Sequence, residues 1–461
     1  MPPESIVQLL RRHHRVPAAQ LQEQLGVSRA TLMRTVQAAG DSVLTIGRAR
    51  RTSYAARRQL RGSPAPLPVF RVDEHASTSQ VGELHLAYPD GCLFEFENTL
   101  EWPLDADMRD GWFEGIPYML QDLRPDGFLG RAFARVNAPL LQVGDDPRTW
   151  SDDDVLYALS LLGADLSGNY IVGEPAYRRW TERLQQPLEL VTDANVAQAY
   201  SEKAEHSMQH GTADSSAGGE FPKFTAVREF GELGGLPLHV IVKFSGSDES
   251  PGTERWSDLL ICESLASQCV AGLQGLSAAD SRIHRAGGRT FLEVVRFDRH
   301  EAHGRSAMCS WAAINNTWFG LNGRPWTEGA ARLIERDLID KETFDAIARL
   351  MHFGQLIGNS DMHDGNLSFV PAGPGIRLAP VYDMLPMMYA PQRGVELPPR
   401  SFSARLPLPA ERERWREAAL AALDFWSRAS SDSRISEGFR RICANNAQAV
   451  RDASAHSAAA N

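Results

Sequence analysis

No run of eighteen apolar residues occurs in this 461-residue chain, so no stretch of it is long enough for a membrane-spanning helix. Cysteine is scarce and scattered. Cys92, Cys262, Cys269, Cys309 and Cys443 are odd in number and form no CxxC pair. That excludes a disulfide framework and gives no sign of a zinc site, which leaves them as small buried hydrophobes. The opening MPPESIVQLLRRHHRVP lacks a signal-peptide layout, because its apolar stretch is short and runs into arginines. The expectation is a soluble cytoplasmic protein without a membrane partner. No repeat of fixed period is visible. Lysine is missing from residues 1–62, which instead hold eleven arginines against only Glu4, Glu23 and Asp41. That segment carries +8 and the remainder −18, so attraction to nucleic acid is confined to one end.

What is present suits a globular protein of two to four domains. AAQLQEQLG has apolar residues at helical spacing, Gly26 breaks it, and Ser28 stands as N-cap of SRATLMRTVQAAG. This is helix-turn-helix spacing, with Arg29, Thr31 and Arg34 on the helix that would enter a major groove. SVLTIGRARRTSYAARR reads as strand, turn and strand, a wing whose Arg48, Arg50 and Arg51 would meet phosphates or a minor groove. RGSPAPLPVF is rich in proline and reads as a linker. From Phe70 to about Glu174 short strands alternate with loops, with a hairpin turning at Pro89-Asp90-Gly91 and no catalytic constellation.

Three later stretches belong together. DSSAGGEFPKF places serines and glycines before a strand, so that backbone N–H groups could nest an anion; it fits neither GxGxxG nor a Walker A loop. In LPLHVIVKFSGS, Lys243 shares a strand face with His239 and Ile241, opposite Val240, Val242 and Phe244. A lysine set in an apolar strand needs a carboxylate or phosphate partner if it is buried, whereas on an edge strand it would snorkel to water. In IGNSDMHDGNLSF, Asp361 and Asn366 are five residues apart, and Asp383 follows seventeen residues later at a strand end. That is the spacing of a kinase catalytic loop and its second metal-binding aspartate.

These blocks, with EVVRFDRH, resemble in order the HipA family of bacterial serine/threonine kinases, the toxin side of HipBA-type toxin–antitoxin pairs. With the helix-turn-helix attached, the chain is most similar to stand-alone HipA-like proteins of the YjjJ type. The resemblance implies an α+β, bilobed, kinase-like fold behind an N-terminal winged helix-turn-helix. The implied division is 1–62 for the winged unit, 63–72 for a linker, 73–187 for an N-terminal subdomain, 188–300 for the kinase N-lobe and 301–455 for a helical C-lobe. It implies ATP and Mg²⁺ as cofactors, Asp361 as catalytic base braced by His363, and Asn366 and Asp383 as metal ligands. Lys243 would contact phosphates. Ser216, Gly218, Gly219 and Lys223 would form the phosphate loop, with Ser216 at the autophosphorylated position. Arg296 and Phe297 lie in the adenine-hinge block, where Val295 replaces the usual glutamate and leaves adenine to backbone contacts. Glu263, the acidic residue nearest the usual partner of the lysine, stands about one turn from that place. Implied partners are a protein substrate of the aminoacyl-tRNA synthetase class, DNA and an antitoxin, although a DNA-binding module is here fused to the chain. Two rival readings are a DNA-binding regulator with a nucleotide-sensing kinase fold, and a metal-dependent DNase using Asp361, His363 and Asp383.

Overall fold

Ser28 opens a helix because its hydroxyl accepts the N–H of Thr31 at 3.2 Å, one of the donors that a helix start leaves unpaired. Gly26 ends the preceding helix at φ +63°, a left-handed conformation that suits glycine. The computed structural model describes residues 3–209, 221–229, 235–392, 397 and 399–459. It begins with α1 (Pro3–Leu10), β1 (Val16–Pro17), α2 (Ala18–Leu25), α3 (Arg29–Ala39), β2 (Val43–Ile46) and β3 (Ser53–Ala56). The strands pair antiparallel in the order β1-β3-β2, over a small core that includes Leu10, Leu21, Leu32 and Val43. The expected strand–turn–strand is therefore present.

A second sheet follows. It consists of β4 (Leu67–Val72), β5 (Thr78–Leu86), β6 (Cys92–Phe96), β7 (Trp112–Phe113) and β8 (Tyr170–Val172), antiparallel in the order β7-β6-β5-β4-β8. With it go α4 (Ala106–Arg109), α5 (Tyr118–Gln121), α6 (Gly127–Leu141), α7 (Asp152–Leu162) and α8 (Glu174–Arg183). Two expectations need correction here. The stretch 63–72 is not a linker throughout, since its second half is β4, with Val69 and Val72 wholly buried. Pro64 and Pro66 mark the approach to a strand whose apolar residues are claimed by the sheet, and Pro68 stands near its start. The region is also more helical than short strands and loops, and a capping box of Ser151 with Asp154 starts α7.

The basic N-terminal unit is docked on this second unit. Leu44, Ile46 and Ala55 from one side pack with Ala87, Leu93 and Trp112 from the other. Around that patch Arg15 meets Asp107 at 2.8 Å and Arg51 meets Asp110 at 2.6 Å, while Arg58 and Arg61 pair with Asp153 and Asp154. Arg51 was expected on the phosphate-facing turn, but it is held by Asp110 and by the carbonyl of Ala106. The cause is proximity: a Cβ on Gly47 would stand 2.9 Å from Asp110 Oδ2. Arg29, Arg34, Arg48 and Arg50 remain exposed, and Thr31 is half-buried.

The third sheet carries the site. β9 (Leu190–Thr192) and α9 (Val196–Gln209) precede β10 (Lys223–Glu229) and β11 (Pro237–Phe244). α10 (Pro251–Val270), β12 (Ser281–Ala286) and β13 (Arg289–Val295) complete the layer, in strand order β12-β13-β11-β10-β9. Val240, Val242 and Phe244 lie in the core on one side of β11, the face anticipated from their alternation.

The rest is mostly helical. The short strands β14 (Arg299–His300), β15 (Gly304–Arg305) and β16 (Cys309–Ser310) lead to α11 (Trp311–Trp318), α12 (Trp326–Glu335) and α13 (Lys341–Leu356). β17 (Ser368–Ala372) and β18 (Gly375–Leu378) then precede α14 (Arg412–Ser431) and α15 (Glu437–Ala459). α13, which feeds the loop at Asp361, is capped by Asp340, whose carboxylate accepts the Thr343 N–H at 2.8 Å. One continuous core joins Phe133 of the second unit, Leu259 of α10, Phe353 of α13 and Trp426 of α14. Among the described residues no helix is long and apolar enough to cross a membrane.

Candidate active site

β10 and β11 pair with Lys223 opposite Lys243, so one antiparallel register sets two buried ammonium-bearing side chains side by side. Both line a cavity of about 600 Å³. Lys243 Nζ donates to Glu263 Oε1 at 2.7 Å and to Asp383 Oδ1. The turn of α10 separating Glu263 from its anticipated place does not prevent the pairing. Burial opposes the charge on Lys243, yet Asp383 and Glu263 outweigh it and hold the ammonium above its ordinary pKa. Burial also pushes Asp383 upward, but Lys243 and Lys223 bring its carboxyl below the usual range. For Glu263 burial wins over Lys243, and its carboxyl is raised. Asp383 adopts φ +61°, a left-handed conformation that is uncommon outside glycine and tolerated best by Asp and Asn.

The loop after α13 uses its polar side chains on itself. Asn359 Oδ1 accepts the Asp361 N–H at 3.0 Å, and Asn366 Nδ2 donates to the Asp361 carbonyl at 2.8 Å. His363 Nδ1 accepts the Gly365 N–H at 3.0 Å and caps the short turn Asp364–Asn366. Asp364 is held from α11 by Asn315 Nδ2 at 2.8 Å. These bonds leave the Asp361 side chain as the loop's exposed carboxylate. Partial desolvation raises its pKa, Asp383 adds to the rise, and His363 and Lys243 oppose it. Asp361 is not part of the cavity wall, but it is near enough for the charges at 363, 383 and 243 to act on it. His363, Asn366 and Asp383 do line the cavity.

At the far end of β13 the hinge block is built on ions. Arg296 donates to both oxygens of Asp298, at 2.9 and 2.8 Å, and Arg299 Nη1 reaches Asp298 Oδ2 at 2.7 Å. Arg299 Nη2 lies 3.0 Å from Asp165, with Arg305 at 3.9 Å from the same carboxylate. Arg296 lines the cavity, but its guanidinium is committed to Asp298. The N–H of Val295 donates to Asp280 and that of Arg296 to His239, so neither is left for a base. Phe297 stacks on Tyr382, with ring centroids 6.0 Å apart.

Part of the wall comes from the second unit, whose sequence pattern carries no catalytic sign. Glu114, Asp122, Asp126 and Asp152 line the same cavity as the lysines. Asp122 accepts the Ser310 hydroxyl at 2.6 Å, a pairing across 188 residues that no local pattern could announce. Ser216, Gly218 and Gly219 lie outside the described residues. Arg29, Thr31, Arg34, Arg48, Arg50 and Arg51 belong to the N-terminal unit and are absent from the cavity wall. Among the described residues no three His, Cys, Asp or Glu side chains gather as a self-sufficient metal cluster.

Residues 63–181 match the family described as "YjjJ-like toxin, middle domain", and residues 215–454 the family described as "HipA-like C-terminal domain". The chain is 37% identical over 436 residues to Toxin YjjJ of Escherichia coli (strain K12), covering 94% of each protein. Its fold is similar to a chain in the structure of the Shewanella oneidensis MR-1 toxin–antitoxin system of HipA, HipB and operator DNA. That match has a TM-score of 0.53 at 15% identity and covers 84% of this chain and 96% of that one.

Proposed function

Because this chain belongs to the YjjJ-like toxins of the HipA-like family, we propose that it transfers the γ-phosphate of ATP to a serine or threonine hydroxyl of a protein. The observation that carries this reading is the meeting of Lys243, Glu263, Asn366 and Asp383 at one cavity, with the Asp361 carboxylate beside them. The acceptor oxygen attacks the γ-phosphorus, its proton passes to Asp361, and the bridging oxygen leaves with ADP. The transition state is loose, so the chain's work is placing groups and neutralising charge. Lys243, already balanced between two carboxylates, is the group to take the phosphate oxygens. Lys223, Ser216, Gly218 and Gly219 are assigned to the phosphate loop and Ser216 to self-phosphorylation, on the family resemblance.

The donor set suits Mg²⁺. Asn366 has its nitrogen on Asp361, which leaves its oxygen for a cation, and Asp383 keeps a second carboxylate oxygen. Glu263 Oε2 is buried without a hydrogen-bond partner among the described residues, a sign that the pocket's charge is incomplete. Two hard oxygen ligands completed by phosphates are the usual magnesium arrangement, and the ion supplies charge neutralisation on the transferring group when bound. The nuclease alternative needed Asp361, His363 and Asp383 to hold the metal among themselves, and no such cluster supports it. Purified protein incubated with γ-labelled ATP, Mg²⁺ and dephosphorylated bacterial proteins is expected to yield labelled phosphoserine or phosphothreonine. Label confined to free phosphate would refute the reading.

We assign DNA binding to the N-terminal unit, with Arg29, Thr31 and Arg34 reading bases and Arg48 and Arg50 on phosphates. The Shewanella HipA structure, which includes operator DNA and HipB, is compatible with DNA and an antitoxin as partners. Asp110 competes with phosphate for Arg51. Asp110→Asn is therefore expected to tighten duplex binding and steepen the log–log salt dependence by about 0.9, one phosphate contact's worth. Anisotropy titrations across a salt series measure this, and an unchanged slope would place Arg51 away from DNA.

A further inference from the structure

Tyr382 immediately precedes Asp383, and its hydroxyl reaches two other parts of the site. Tyr382 Oη donates to the Gly365 carbonyl at 2.9 Å and lies 2.6 Å from Ser368 Oγ. Gly365 and Asn366 share a peptide unit, and Asn366 in turn grips the Asp361 carbonyl at 2.8 Å. A fixed Gly365 carbonyl thus fixes the plane from which Asn366 projects. Ser368 is the opposite footing. It begins β17 and pairs with Ser310 of β16, whose hydroxyl is anchored on Asp122. The hydroxyl of Tyr382 therefore ties a supported strand to the turn of the loop, while its own backbone leads into the left-handed Asp383.

We propose that the Tyr382 hydroxyl is a positioning group that holds the 361–366 loop in register with Asp383. It sets the spacing between the proton acceptor and the cation end of the cavity. Tyr382 acts through Gly365 and Asn366 and touches no reacting atom. The proposal rests on the phosphotransfer reading, which gives that spacing its purpose. A half-buried tyrosine that merely satisfies its O–H is the plainer account. It explains one partner for the hydroxyl but gives no reason for that partner to be the turn beside Asn366.

The test uses the full chain with Tyr382→Phe, Ser368→Ala and the double variant. ADP release is followed against MgATP concentration, and amide exchange is followed over residues 360–366. Tyr382→Phe keeps the ring and its stack on Phe297 and removes only the strut. The expectation is a fall in kcat of about tenfold with KM for ATP within about twofold, the scale of one lost hydrogen bond in a transition-state arrangement. Amide exchange in the loop should rise while the rest of the protein keeps its protection. Ser368→Ala removes the other footing and should give a loss of the same kind, and the double variant should add little to Tyr382→Phe. Unchanged loop exchange in either single variant overturns the proposal, as does a change in KM without one in kcat. If Tyr382→Phe does not fold, Ser368→Ala decides by the same exchange measurement. If wild-type protein releases no ADP, the phosphotransfer reading fails, and loop exchange alone decides whether the strut exists.

Discussion

Asp361→Asn is expected to lower phosphoryl transfer by ~10²–10⁴-fold, the usual worth of a positioned general base. Nucleotide affinity should barely change. The Asp361 carbonyl, which Asn366 holds, survives the substitution, and the lost carboxylate is outside the cavity wall. Asp383→Asn should do the reverse. It removes one of the two countercharges of Lys243 and one of two proposed metal ligands, so affinity for MgADP should collapse before the chemistry can be assessed. Calorimetric titration with MgADP and initial rates of labelled transfer separate the two. Near-normal transfer by Asp361→Asn would end the base assignment. The pH profile offers an independent check. Asp361 must be ionised to accept a proton and its pKa is raised, so activity is lost as pH falls through that raised value. The acid limb should lie above the ~3.9 of an unperturbed aspartate.

Asp298→Asn is expected to destabilise the chain by ~3–5 kcal/mol, the cost of removing one partner from a buried ionic group. The guanidiniums of Arg296, Arg299 and Arg305 are almost wholly buried and share the carboxylates of Asp298 and Asp165. Arg299 and Arg305 are already under-compensated, since burial brings both below the ordinary arginine range, whereas Asp298 holds Arg296 above it. Arg305 Nη1 is buried without a hydrogen-bond partner among the described residues, and burial and the Arg299 charge lower its pKa to about 9. Asp298 also accepts the Gly168 N–H at 2.9 Å, so the loss would loosen the seam between the hinge and the second unit. Urea titration monitored at each unit should show the hinge and that seam releasing together. The acid side follows from the sign of the shifts. Burial pushes Asp298 and Asp165 up, but the arginines bring both well below the ordinary value. Their contribution is therefore complete above about pH 4 and lost as pH falls toward the depressed values. Asp298→Asn should flatten that acid limb.

The parts of this fold governed by neighbours in the chain could be read in advance. Ser28 and Asp340 begin helices by local bonds that their positions announce. Alternation along β11 put Lys243 opposite the core face, and the five-residue step from Asp361 to Asn366 is closed by a direct hydrogen bond. What stayed hidden depends on distant partners. Glu263 meets Lys243 because of how α10 lies on the sheet, which spacing along the helix does not reveal. Asp122 and Asp152 reach the cavity from a region whose pattern suggests only scaffolding. Net charge misled in one respect. Arg15, Arg51, Arg58 and Arg61 contribute to the basic end but face aspartates of the second unit, so less of that charge is available to DNA than a count implies.

The left-handed backbone at Asp383 also bears on how such a protein can change over generations. Most side chains would strain the turn there, whereas asparagine fits it nearly as well as aspartate. Aspartate and asparagine codons differ by a single base. The lineage therefore lies one transition away from a well-folded descendant that keeps its docked N-terminal unit and, on the proposed reading, has lost its hold on nucleotide. On the proposed phosphotransfer reading, silenced members of this family would be expected to carry that mark first.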